Sequence, residues 1–140
     1  IGLRNPLPQQ RALVIPLLNP SEVINGVRAR FGAPIELDLG QRGIRSIEHV
    51  GSSYLIVAGP PADSGSFALY RWSGQAADAA TPVADIDLKE LRPEALFAVL
   101  GSGRVQLLSD DGGVKIAGVE CKKLPVAHQT FRGLAVTPRE

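Results

Sequence analysis

Six side chains in this sequence combine a charge with a position in or beside a short apolar run: Arg42, Arg45, Glu48, Glu94, Asp110 and Asp111. Glu94 lies at the start of the run at 92–100, and Asp110 and Asp111 stand at the close of the run at 104–110. If these runs are neighbouring strands, the three carboxylates reach one rim, and hard oxygen donors gathered there form a candidate Ca²⁺ site. The competing reading is turn chemistry. Asp110-Asp111-Gly112-Gly113 supplies the side-chain caps and the positive φ that a tight turn requires. Arg42, Arg45 and Glu48 surround the run at 42–50, where alternation sends either Arg45, Ile47 and His49 or Ile44, Ser46 and Glu48 to one face. An arginine–carboxylate constellation there is a ligand-binding candidate, able to grip an anionic or sugar ligand through bidentate hydrogen bonds. The same charges could instead form a salt bridge between packed sheets.

No residue is assigned as catalytic. His49 and His128 lie far apart in a spacing unlike a zinc motif. There is no Gly-x-Ser-x-Gly elbow, and Gly101-Ser102-Gly103 lacks the Lys-Ser/Thr of a phosphate loop and reads as a hairpin turn. Tyr70 and Trp72 share a strand face, which favours core packing over a stacking platform for sugars or bases. The single Cys121 sits in an alternating run as a half-buried structural thiol, cannot form an internal disulfide, and leaves the compartment open.

Composition narrows the partners. Fifteen basic against fourteen acidic residues leave a net charge of +1. A nucleic-acid binder or a polybasic membrane anchor needs a concentrated positive field, so neither partner is expected. No apolar run approaches the ~18 residues of a membrane helix. A hydrophobic content of 44% with 21% charged residues fits a soluble globular chain, and 15 Gly with 11 Pro point to many turns.

The elements that must position these charges are short strands. The runs at 42–50, 54–59 and 66–74, separated by Gly, Ser, Pro and Asp, predict a meander, and 82–88 completes a four-stranded unit. Before it, 11–18 reads as a strand near an edge because of Pro16. Asn19-Pro20 reads as the cap and first position of a short helix, and 35–39 alternates as a strand. After it, strands are expected at 92–100, 104–110, 114–119 and 130–136. Residues 35–39 resemble 84–88, residues 57–59 resemble 108–110, and 67–69 resemble 114–116, giving a period of about 50 residues. Four short strands per such period are the mark of propeller blades. The fold class is therefore all-β, a β-propeller-like run of nearly three four-stranded blades. Residues 1–39 form an incomplete blade with a short helical insert, and 40–88 and 89–140 form one blade each.

Leu3-Arg4-Asn5-Pro6, Gly43-Ile44-Arg45-Ser46-Ile47-Glu48, Tyr54-Leu55-Ile56-Val57-Ala58-Gly59-Pro60, Leu69-Tyr70-Arg71-Trp72-Ser73-Gly74, Arg92-Pro93-Glu94-Ala95-Leu96 and Leu108-Ser109-Asp110-Asp111-Gly112 run in order along the chain. Together with Phe131-Arg132-Gly133 they resemble the bacterial domain-of-unknown-function family DUF3616, in the C-terminal portion of its longer, propeller-like members. The resemblance implies a propeller but no established activity. Pro93-Glu94 with Ser109-Asp110-Asp111-Gly112 is more weakly similar to phytase-like and esterase-like propellers, whose sites need a ring of carboxylates around several calcium ions.

The function expected is a propeller module that presents a ligand- or protein-binding rim. The alternative is part of a Ca²⁺-dependent phosphoesterase or related hydrolase. The chain has no Met and opens abruptly at Ile1-Gly2-Leu3, as though a strand had begun upstream. Three blades also cannot close a ring. Association with an upstream fragment or a second copy is therefore expected, through faces carrying rows such as Leu55, Val57, Val105 and Leu107.

Overall fold

The structure is a computed structural model that describes residues 1–88 and 90–138, so 89, 139 and 140 of the third expected blade lie outside the described residues. In chain order the strands are β1 (Ala12–Val14), β2 (Ile35–Leu37), β3 (Gly43–Val50), β4 (Ser53–Gly59), β5 (Ala68–Trp72) and β6 (Thr81–Pro82). They continue with β7 (Pro93–Val99), β8 (Arg104–Ser109), β9 (Lys115–Ile116), β10 (Val119–Glu120) and β11 (Gly133–Val136). A short α-helix, α1 (Pro20–Ile24), interrupts the first part of the chain. The protein is all-β, built from several antiparallel sheets.

The first sheet pairs β1 with β2, and Gly2 adds a bridge to Val14 on the other side of β1. The second is the meander β3-β4-β5-β6, and the third has the order β11-β8-β7. The turn from β3 to β4 is the two residues Gly51 and Ser52, with Gly51 at a φ of +62°, a conformation that only glycine adopts without cost.

Period-two alternation along β4 explains how the sheets stack. Leu55 and Val57 point one way, into a cluster with Leu69, Leu96, Val105 and Leu107. Ile56 and Ala58 point the other way, toward Ala12, Val14, Leu37, Leu39, Ile44, Tyr70 and Trp72. The middle sheet thus has both faces covered, and the three sheets lie face to face in chain order. Leu55, Val57, Val105 and Leu107 are fully buried between the second and third sheets. The rows expected on uncovered faces are in fact interior, because the second and third sheets pack these two rows against each other.

Several local expectations differ from what forms. The run at 11–18 is a strand only over β1. Pro16 has no N–H to donate, and beyond it Leu17 makes only an isolated bridge to Phe31. Asn19 precedes α1 without capping it through its side chain. Asn19 is buried instead; its amide donates to Glu22 and to the Arg28 carbonyl, and its Oδ1 accepts from the Arg30 N–H. The alternating run at 82–88 is a strand only at β6 and then turns at Asp85, whose φ is +65°. Residues 114–119 do not extend the third sheet. Ala117 and Gly118, at φ +49° and +84°, turn the chain back so that β9 pairs with β10. The edge of β8 is taken by β11.

Candidate functional site

Two β-bulges create the site. In β3 the register with β4 shifts between Ile44 and Ser46, leaving Arg45 as the extra residue. In β7 the register with β8 shifts between Pro93 and Ala95, leaving Glu94 as the extra residue. A bulge releases one side chain from strict alternation and re-aims it. Here the two released side chains meet: the Arg45 guanidinium donates to a Glu94 carboxylate oxygen and, with its other terminal nitrogen, to the Pro60 carbonyl. The same guanidinium lies 5.6 Å from the centre of the Phe67 ring. Next to this pair the Leu96 N–H donates to Ser46 Oγ at 3.1 Å, so β3 and β7 are tied twice.

The Arg45 side chain is only 6% exposed, whereas Glu94 is 38% exposed. Burial lowers the Arg45 pKa and Glu94 opposes that shift. The guanidinium stays charged, since an arginine starts far above neutral pH. Its Nε is buried without a hydrogen-bond partner.

A cleft of about 360 Å³ opens over this ion pair. Arg4, Arg92 and Lys122 bring further positive charge to it, and Asp63 and Asp110 bring negative charge. Arg4 is held at the rim by a bond to the Ala62 carbonyl at 3.0 Å and a 3.6 Å approach to Asp63. It reaches that position because its own carbonyl packs on Gly43, where a Cβ would lie 2.0 Å from the Arg4 oxygen. The Arg92 guanidinium has no ion-pair or hydrogen-bond partner among the described residues. Lys122 is 63% exposed and, among the described residues, has only a 3.9 Å approach to Glu120. Such a cleft can bind an anion or a polyhydroxylated group by charge-assisted hydrogen bonds.

Of the six residues picked from sequence, Arg45, Glu94 and Asp110 line this cleft and the other three do not. Arg42 clamps the loop after β4, donating to Ser66 O at 2.9 Å and Ser66 Oγ at 2.7 Å, and to the carbonyls of Leu39 and Gly40. Glu48 lies further along β3, half-buried and opposite Leu55. Asp111 is turned away into a structural lock. It accepts from Arg132 Nε, Arg132 Nη2 and the Arg132 backbone N–H, each at 2.8 Å, and from Ser109 Oγ at 2.8 Å. These bonds to Arg132 hold the Asp111 carboxyl down at about 2, against the opposing effect of burial. Among the described residues no three His, Cys, Asp or Glu side chains come together as a metal-ligand set.

Sequence reasoning missed Arg4, Arg92 and Lys122. Arg4 and Arg92 each stand within a motif singled out for other reasons. Lys122 is brought in by the hydrogen bond from its N–H to the Gly112 carbonyl, a contact with no local signature. Cys121 is buried, its Sγ lying 3.2 Å from the Thr130 carbonyl oxygen and 3.3 Å from the Thr130 nitrogen. It pins the segment before β11.

No family model matches the chain. Neither a curated protein nor a solved structure matches it.

Proposed function

We propose that this chain is a run of β-propeller blades acting as a binding module, with the cleft over Arg45 and Glu94 as its ligand-binding rim. The observation that carries this is the meeting of two equivalent bulges. Arg45 and Glu94 sit at the same position of consecutive sheets, and both are aimed at one end of the stack. The stacking of three sheets in chain order supports the blade reading, with β3 of one sheet against β7 of the next, as does the resemblance to DUF3616. A rim built where successive inner strands begin is a natural ligand face, because each blade contributes one side chain to it.

The test is thermal unfolding in inorganic phosphate or acetate against chloride at matched ionic strength. The melting temperature should rise by mass action and the rise should vanish in Arg92→Gln. No shift with either anion up to high millimolar concentration would remove the rim from consideration.

The calcium-dependent hydrolase reading has one observation in its favour, that Glu94 and Asp110 line the same cleft. It requires Ca²⁺ itself to raise the melting temperature and Asp110→Asn to abolish the effect. Stabilisation by phosphate without any response to Ca²⁺ selects the binding module.

A further inference from the structure

The polar cleft is not isolated. A second, larger cavity of about 740 Å³ adjoins it, and Phe67 and Arg92 line both. Its character differs: Leu88, Leu91 and Val114 give it an apolar wall, while Asp87, Glu90 and Arg132 add charge. Arg132 is already engaged by Asp111, which leaves Arg92, among the described residues, as the free cation at the junction. Phe67 is fixed there too, with its ring against the buried Arg45.

We propose that the two cavities form one bipartite groove for an amphipathic organic anion, with a carboxylate or phosphate head on Arg92 and an apolar chain lying past Phe67 against Leu91 and Val114. This rests on the rim being a binding site and names its ligand class. The polar end alone would take any small anion. The apolar end selects for a ligand that continues beyond its head group, because covering Leu91 and Val114 removes apolar surface from water. Arg92 is suited to either head, since a guanidinium presents a fork of donors that matches both carboxylate and phosphate.

Calorimetric titration of the full chain with hexanoate, hexyl phosphate, acetate, inorganic phosphate and hexanol tests this. Hexanoate or hexyl phosphate should bind at least about tenfold more tightly than acetate, phosphate and hexanol, and the better of the two identifies the head. Arg92→Gln should weaken that binding about tenfold, as loss of a charge-assisted bond does. Val114→Asn, which adds polarity without charge, should remove the advantage of the six-carbon chain while acetate and phosphate still bind through Arg92. Both positions are solvent-accessible, and unchanged melting curves without ligand confirm that the variants fold. If acetate and phosphate bind through Arg92 but the chain adds nothing, the groove is overturned and the rim survives. If hexanol binds as well as hexanoate, the head-group assignment is wrong. If no anion binds, the groove and the rim both fall.

Discussion

The best-held charge in the molecule is Asp111, and it shows how a carboxylate expected to be chemical becomes structural. Its folded pKa of about 2 lies below the ordinary carboxylate value, chiefly because Arg132 donates to it. A depressed carboxylate contributes stability that is fully present above the unfolded pKa, near 4, and is lost as pH falls through the folded value of about 2. The shift is worth roughly 2 kcal/mol. Urea melts should therefore lose about that much between pH 4 and pH 2 in the native chain, and Asp111→Asn should flatten this acid limb. An unaltered acid limb in the variant would mean that Arg132 is not the partner. Trp72 makes a second expectation. It is 4% exposed, donates from Nε1 to the Gln75 carbonyl at 3.1 Å and lies 5.7 Å from the Tyr54 ring. Trp72→Ala should cost roughly 3–5 kcal/mol in a urea melt, as for other large-to-small core changes. A loss under ~0.5 kcal/mol would put the ring at the surface. The core role of Tyr70 and Trp72 was legible from alternation alone. The fate of Asp111 was not, because its partner Arg132 is distant in sequence and no period connects them.

At the scale of elements, the sequence announces strands well where they are covered on both faces and poorly where they are short. The runs that became β4 and β5 are dense in Leu, Ile, Val and aromatic residues, and burial on both faces accounts for that density. Residues 114–119 carry a similar pattern, yet Ala117 and Gly118 take positive φ and fold the run on itself. Alternation cannot distinguish a strand that joins a sheet from one that pairs with its own continuation. The bulges were equally hidden: a reading by strict alternation placed Arg45 with Ile47 and His49, whereas the extra residue breaks that phase. The first sheet meets β3 at Gly43, where the Ile44 N–H donates to the Leu3 carbonyl at 2.9 Å. Gly43→Ala would push a methyl to within 2.0 Å of the Arg4 carbonyl oxygen, against backbone that cannot swing aside. Stability should fall by about 1–3 kcal/mol, the usual cost of overpacking, and anion binding should weaken with it because Arg4 is displaced. Chemical denaturation together with phosphate titration measures both. Full binding in a destabilised variant would detach Arg4 from the rim.

Three stacked sheets have two internal interfaces and two outer faces, and the outer faces decide how the whole molecule behaves in solution. On the third sheet Phe97 is 45% and Val99 37% exposed, with Leu108 half-buried beside them. On the first, Leu13 is half-buried opposite Glu36, which approaches Arg11 at 3.7 Å. These faces are less apolar than the interior rows of β4 and β8, so the drive to cover them is weaker than the sequence implied. It is not absent, because aromatic and branched side chains left on a sheet face are removed from water when another sheet packs on them. If the sheets are blades, a ring needs at least four of them, and two copies of this three-sheet unit supply six. A closed two-fold pair would bring each first sheet against the third sheet of the other copy, a self-complementary arrangement of the commonest symmetry. Light scattering at micromolar concentration should then give twice the mass of a 14.8 kDa chain. Phe97→Glu should return the monomer mass without lowering the melting temperature of the separated chain, since the residue faces outward. A wild-type chain that is folded and monomeric at a hundred times that concentration would rule out the two-copy ring and leave the blade reading to stand on stacking alone.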